Sequence, residues 1–215
     1  MSRSSIHILT YHSISDGAGP TCIAPSLFDE QLAAIAESGV ACWTPDDYLE
    51  WRNKSGIDAK AVIVTFDDAF ADYADNAHGP LRKRGFRAAM FVPTGHVGAR
   101  ADWDGAGGRT LMDWRSLAAA AQDGLVVGSN GNAHIDMTRL EQAALDAEIA
   151  RAADMIEHEI GRRADYFAAP FGRADEAVRT AARKRHRAAA GVDMAVANRS
   201  SPLFNLPRID MHYFR

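Results

Sequence analysis

Two adjacent carboxylates, Asp67 and Asp68, close the apolar run "AVIVTFDD" at positions 61–68. An aspartate at the end of a strand commonly caps the next helix, and that role is a sufficient explanation for either residue alone. Two of them after a buried strand favour an active site, because one carboxylate can hold a divalent metal while its neighbour takes a proton from water. We therefore expect hydrolytic chemistry at this point of the chain.

A second polar segment, "GSNGNAHIDMTRL" at positions 128–140, also follows an apolar run. It contains one histidine, His134, with Asn130 four residues before it. A loop histidine taken alone is more simply a structural residue. Its position directly after a predicted strand favours a metal ligand.

Three further segments contain groups that could take part in a reaction. His12 closes the run "ILTYH", and Pro170 lies in the turn "FAAPFG", from which a backbone N–H could stabilise an oxyanion. Arg208 lies among apolar residues in "LPRID", where a buried guanidinium needs a carboxylate partner.

Short apolar runs alternate with helical patterns, and the runs predict buried strands of a parallel sheet. These runs are at positions 6–12, 61–68, 88–93, 125–129 and 166–170. The alternation predicts an α/β fold, either a barrel or a doubly wound sheet, with its chemistry at the carboxyl ends of the strands. A capping box of Thr138 and Glu141 predicts the start of the longest helix. The Gly-rich segment 101–110 is expected to be a surface loop.

The composition restricts the class of protein. A chain of 215 residues with 47% hydrophobic and 24% charged residues is typical of one globular domain. Its net charge of −4 argues against nucleic acid or an anionic membrane as a partner. Cys22 and Cys42 form no metal-binding pattern and are expected to be free thiols. We find no signal peptide and no transmembrane run, so a cytoplasmic location is expected.

The ordered set of segments resembles the polysaccharide deacetylase family, the NodB homology domain of carbohydrate esterase family four. The segments are "YHSI", "TFDDAFADYADNA", "GFRAAMFVPTGHVG", "LMDWRSL", "GSNGNAHIDMTRL", "FAAPFG" and "LPRID". The resemblance covers nearly the whole chain and implies one catalytic domain over residues 1–215. It implies a distorted (β/α) barrel with about seven parallel strands, and metal-dependent removal of acetyl groups from N-acetylated sugars.

The resemblance also implies roles for the residues of the metal site. Asp67 matches the general base and Asp68 a metal ligand. The family's loop has the pattern His-x-x-x-His, so His134 matches the second histidine and Asn130 stands where the first is expected. Zinc is the expected metal, with cobalt or nickel as alternatives. Because an amide oxygen is a poor zinc ligand, the metal is expected to bind weakly or to be absent.

The remaining roles come from the same resemblance. The backbone amide of Phe171, next to Pro170, matches the oxyanion donor. In the branch resembling the poly-N-acetylglucosamine deacetylases, an N-terminal "YH" strand supplies the general acid, which indicates His12. The family often has an arginine where this chain has Ala168, and Arg208 is expected to replace it by orienting Asp67.

The expected function is N-deacetylation of an oligo- or polysaccharide during glycan biosynthesis. The expected substrate is either a free oligosaccharide or polysaccharide or a lipid-linked glycan. Two alternatives stay open. One is an inactive relative that binds N-acetylated glycans without cleaving them. The other is an amidohydrolase that acts on a small non-carbohydrate amide. Four other histidines, His78, His96, His158 and His186, are not expected to be ligands.

Overall fold

A computed structural model describes residues 4–17, 19, 21–105 and 108–215. The described residues contain ten strands: β1 (Ser5–Tyr11), β2 (Ser13–Ile14), β3 (Cys22–Ile23), β4 (Ala41–Trp43), β5 (Lys60–Asp67), β6 (Ala88–Val92), β7 (Val126–Ser129), β8 (Tyr166–Ala168), β9 (Ala188–Ala190) and β10 (Ile209–Asp210). They also contain six α-helices: α1 (Pro25–Glu37), α2 (Pro45–Asn53), α3 (His78–Lys83), α4 (Trp114–Gln122), α5 (Gln142–Ile160) and α6 (Glu176–Arg183).

The main sheet is a curved, parallel half-barrel. Seven strands follow one another in the order β10-β1-β5-β6-β7-β8-β9, and the sheet curls through 239° with helices around it. The short strand β4 pairs with the first half of β5, and β6 pairs with the second half of β5 on the same side. This architecture confirms the predicted distorted barrel, and all five apolar runs form strands within it.

Alternation along the strands separates an apolar interior from a polar mouth. On β5 the side chains of Ile63, Thr65 and Asp67 lie on one face, and the register pairs Ile63 with Ile8 and Thr65 with Thr10 of β1. The residues of this face nearer the start of the strands, such as Ile63 and Ile8, pack into an apolar cluster with residues of β6, β8 and β9. The intervening residues pack outward against the helices. Asp67 at the end of β5 and Ser129 at the end of β7 therefore lie at the open end of the half-barrel.

The longest helix begins later than the sequence suggested. A 3₁₀ turn, Met137–Arg139, precedes α5, and the Asp136 carboxylate accepts a hydrogen bond from the Thr138 N–H. Glu141 is the residue before α5 and makes no side-chain capping bond. The predicted capping box of Thr138 and Glu141 is therefore wrong, because the aspartate turn satisfies this backbone instead.

Two simpler expectations concern the cysteines and the membrane. Cys22 and Cys42 are both free thiols, as predicted, and Cys22 is buried. In the described part of the chain, the helices are too short or too polar to cross a bilayer.

Candidate active site

The carboxyl ends of the strands surround a cavity of about 850 Å³. It is lined by most of the residues that the sequence singled out: His12, Asp67, Asp68, Asn130, His134, Phe171 and Arg208. Pro170 is the buried first residue of the turn that presents Phe171. Segments distant in the sequence thus meet at one edge of the sheet, as expected for parallel strands with a common open end.

Asp67 and Arg208 form a bidentate ion pair in the floor of the cavity. Arg208 Nη1 is 2.7 Å from Asp67 Oδ1, and Nη2 is 2.8 Å from Oδ2. Both residues are buried, and Arg208 Nε donates to the Gly191 carbonyl. Burial by itself raises the pKa of Asp67, but the charge and hydrogen bonds of Arg208 outweigh it and hold that pKa below its usual value. Asp67 is therefore a carboxylate at neutral pH.

Asp68 and His134 lie next to this pair, and their side chains meet. His134 Nε2 is 3.1 Å from Asp68 Oδ1. Two ligands of a tetrahedral metal at about 2.0–2.2 Å each stand roughly 3.3–3.6 Å apart, so Asp68 and His134, here in hydrogen-bond contact, lie within a few tenths of an ångström of the separation that a shared cation needs.

Asn130 completes the possible donor set with its amide oxygen. Asn130 Nδ2 donates to the Ala168 carbonyl at 2.8 Å, which fixes the orientation of the amide. Its Oδ1 is buried and has no hydrogen-bond partner in the described part of the chain, although buried polar atoms are normally paired. Within those same residues no cluster of three His, Cys, Asp or Glu side chains could hold a metal. The residues present therefore fit a divalent cation with two strong donors and one weak one.

The backbone is strained at this site. Among the described residues other than glycine, positive φ angles occur at four positions: Asp68, Ala69, His134 and Phe171. A positive φ costs free energy in residues with a Cβ and persists only where the surrounding structure enforces it. Three of the four are residues that the sequence singled out, so the strain coincides with the site.

The "FAAPFG" turn presents the Phe171 amide at the cavity. Phe171 has φ 57° and ψ 12°. The hydrogen bonds found within the turn use the N–H groups of Gly172 and Arg173, which donate to Ala169 and Pro170. The turn therefore does not use the N–H of Phe171, whose ring lies 4.8 Å from that of His134.

His12 follows β1 and is half-buried at the cavity wall. Three of the other histidines do not line the cavity. His78 pairs with Asp123, His158 is exposed on α5, and His186 is buried in the core. His186 lies shortly after the end of α6.

Trp103 is a further cavity residue that the sequence did not predict. The segment 101–110 was expected to be a surface loop, and its residues 106 and 107 lie outside the described residues. Trp103 is instead half-buried in the cavity, with its ring 3.7 Å from the ring of His134 and 5.1 Å from that of His96. Thr10 was missed as well, and its hydroxyl is buried without a partner in the described structure. A tryptophan within a Gly-rich polar loop was the available signal.

Comparison with known proteins identifies the family. The family model for polysaccharide deacetylase matches residues 54–189. The chain belongs to the polysaccharide deacetylase family. A curated relative, the putative polysaccharide deacetylase YxkH of Bacillus subtilis, is 22% identical over 204 residues, which cover 94% of this chain and 70% of that protein.

Solved structures of deacetylases share the fold. The Streptococcus pyogenes deacetylase PplD, solved in complex with acetate, superposes with a TM-score of 0.83 at 22% identity, covering 96% of this chain and 92% of PplD. IcaB from Ammonifex degensii gives a TM-score of 0.84 at 20% identity, covering 97% and 92%. The family, known as the NodB or carbohydrate esterase four family, comprises hydrolases of amide bonds.

Proposed function

We propose that this chain is a metal-assisted N-deacetylase that acts on N-acetylated sugar residues of an oligo- or polysaccharide. The observation that carries the proposal is the pairing of Asp67 with Arg208 directly beside Asp68 and His134 in one cavity. This arrangement provides an oriented base next to a pair of metal donors, which is the combination that metal-assisted amide hydrolysis uses.

Asp67 is the proposed general base. Arg208 holds both carboxylate oxygens and keeps the group ionised, so Asp67 can accept a proton from water on its remaining lone pairs. A lowered pKa makes Asp67 a weak base, and the water must therefore be acidified by another group.

Asp68, His134 and Asn130 would hold that group, a divalent cation. When bound, the cation would supply Lewis acidity, which polarises the acetamide carbonyl and acidifies water. The Asn130 side chain lines the cavity, its N–H₂ group donates to the Ala168 carbonyl, and its buried oxygen has no partner in the described structure. An amide oxygen is a weaker zinc ligand than imidazole, which favours low affinity for zinc.

Phe171 and His12 are proposed to stabilise the oxyanion and to protonate the leaving amine, respectively. The Phe171 N–H at the cavity wall can donate to the oxyanion of the tetrahedral intermediate. His12 lies in the same wall and can protonate the leaving amine.

The proposed substrate class rests on the family and on the cavity. The relatives named polysaccharide deacetylases act on glycans by name, and the exposed rings of Phe171 and Tyr213 at the cavity rim offer faces for sugar rings. A wide cavity with an exposed rim argues against a small non-carbohydrate amide. A cytoplasmic location, a role in exopolysaccharide biosynthesis and a lipid-linked substrate stay predictions from the sequence.

A second candidate function is glycan binding without cleavage. The absence of a cluster of three strong metal donors in the described part of the chain favours it. In that case the strained loops and the cavity would hold the N-acetylated sugar, and the weak donor at Asn130 would leave the metal site empty.

One experiment separates the two candidates. Acetate release from N-acetylglucosamine oligomers is measured with increasing Zn²⁺, Co²⁺ or Ni²⁺ for the natural chain and for Asn130→His. The histidine can donate one ring N–H to Ala168 and offer its other nitrogen to the metal. One good ligand is worth on the order of 3 kcal/mol, so the metal concentration for half-maximal activity should fall about a hundredfold.

Asn130→Ala is the matched control, because it removes the amide oxygen and should raise the required metal concentration. Acetate release by the natural chain at any metal concentration supports the deacetylase. Oligomer binding without acetate release, in both the natural chain and Asn130→His, would instead identify a binding protein.

A further inference from the structure

The loop that carries Asn130 and His134, residues 130–134, is here named the metal loop. It has no regular secondary structure, yet the backbone N–H and C=O groups of the three residues between Asn130 and His134 all have hydrogen-bond partners. The Gly131 N–H donates to Ser129 Oγ, and the next two N–H groups, from Asn132 and Ala133, leave the loop altogether. Both of these donate to one carboxylate oxygen, Oε1 of Glu148.

Glu148 reaches the metal loop from α5. Its Oε1 accepts from the Asn132 N–H at 2.8 Å and from the Ala133 N–H at 2.5 Å. The buried face of α5 includes Leu145 and Ile149, so Glu148 lies at the edge of the face that packs on the barrel. Hydrogen bonds to a charged acceptor are about twice as strong as neutral ones. Glu148 does not line the cavity, and the proposed mechanism does not use it.

The carbonyl groups of the same loop are held from the opposite side by the segment after β6. Thr94 N–H donates to Gly131, Gly95 N–H donates to Asn132 at 2.8 Å, and His96 Nε2 donates to Ala133. A Cβ on Gly95 would come within 2.7 Å of the Asn132 carbonyl oxygen, so the two segments are in close contact. The carbonyls thus have three separate donors, whereas two N–H groups share a single acceptor.

We propose that Glu148 is a positioning residue for the metal loop, acting through the backbone to direct Asn130 and His134 toward Asp68. His134 follows Ala133 directly and has φ 49°, a strained angle that persists only where the surrounding structure enforces it. The expected effect of Glu148 on cation binding rests on the proposed function. The expected effect of Glu148 on the structure of the metal loop is independent of that function.

The test compares Glu148→Ala with Glu157→Ala, a matched control at an exposed position on the same helix. Hydrogen exchange of the peptide amides of residues 130–134 is measured by mass spectrometry without added metal. The affinity for Zn²⁺ is measured by competition with a chromophoric chelator. We expect faster exchange and a 10- to 100-fold loss of affinity in Glu148→Ala, and neither change in Glu157→Ala. Glu148→Gln keeps a neutral acceptor and should give intermediate values.

The outcomes separate this inference from the proposed function. Unchanged exchange and unchanged Zn²⁺ affinity in Glu148→Ala would overturn the positioning role, while acetate release by the natural chain would leave the proposed function intact. Faster exchange confined to Glu148→Ala supports the positioning of the loop even if no variant binds Zn²⁺, and that absence of binding would count against the proposed function. Equal effects in Glu157→Ala would overturn the inference, since they would reflect α5 in general.

Discussion

The side chain of Arg208 is expected both to stabilise the fold and to orient the proposed general base, Asp67. It is buried, and its guanidinium holds both oxygens of Asp67. Removing one member of a buried ion pair leaves an uncompensated charge, which typically costs about 3–5 kcal/mol.

We expect Arg208→Ala to lose acetate release and about 3–5 kcal/mol of free energy of unfolding. Arg208→Lys keeps the charge but not the planar fork, so it should fold more stably than Arg208→Ala and still turn over poorly. Acetate assays and urea denaturation measure the two effects. Arg82→Ala, which removes an exposed pair with Asp123, should change the unfolding free energy by less than about 1 kcal/mol. Full turnover in Arg208→Ala would remove Arg208 from the mechanism.

At the residue scale, the sequence could predict a contact where a buried charge requires a partner of opposite charge. An arginine among apolar residues needs a carboxylate, and Asp67 is the partner that the structure provides. The sequence could not predict that Asn130 would be locked by the Ala168 carbonyl with its oxygen free. That orientation depends on β7 and β8 being neighbours, which is a property of the folded sheet.

At the scale of elements, long apolar runs were predictable and short strands were not. The five predicted strands are all present, whereas β9, with the sequence Ala-Ala-Ala, has no branched or aromatic residue to mark it. Two-residue β10 exists because β1 offers it a paired edge. The late start of α5 was missed for a related reason, since Asp136 competes locally for the backbone that the capping box would have used.

The segment around Trp103 is a small antiparallel ribbon and not a free loop. Ala101 N–H donates to the Arg109 carbonyl, Leu111 N–H donates to Ala99, and Arg100 bridges to Thr110. The ribbon places Trp103 on His134 at a ring distance of 3.7 Å. An indole in such contact with a metal ligand should respond to the charge that a cation brings.

We therefore expect an added divalent cation to change the tryptophan fluorescence of the natural chain, and Trp103→Phe to lose most of that change. Trp114→Phe is the control, because Trp114 begins α4 and does not line the cavity. A titration followed by emission spectra measures the effect. If Trp103→Phe keeps the full response, the stack with His134 does not report on the metal site.

For the molecule as a whole, stability should depend on pH through a histidine remote from the cavity. His186 is buried, its ring stacks on Phe167, its Nδ1 lies 2.5 Å from the Ala164 carbonyl, and its Nε2 has no partner in the described structure. Burial lowers the pKa of His186 to about 4 and outweighs the hydrogen bond to Ala164, which acts in the opposite direction. The native state therefore holds His186 neutral, whereas the unfolded chain titrates near its ordinary value of 6.5.

Since the folded pKa lies below the unfolded one, this stabilisation is fully present above about pH 6.5 and is lost as the pH falls toward 4. Between pH 7 and pH 4 the natural chain should lose about 3 kcal/mol more free energy of unfolding than His186→Gln, which cannot titrate. Urea denaturation at a series of pH values gives both curves, and the comparison uses their slopes because the variant also loses the stack on Phe167. His158→Gln, at a side chain that is 81% exposed, should follow the natural chain. Parallel curves for the natural chain and His186→Gln would show that His186 does not couple folding to pH.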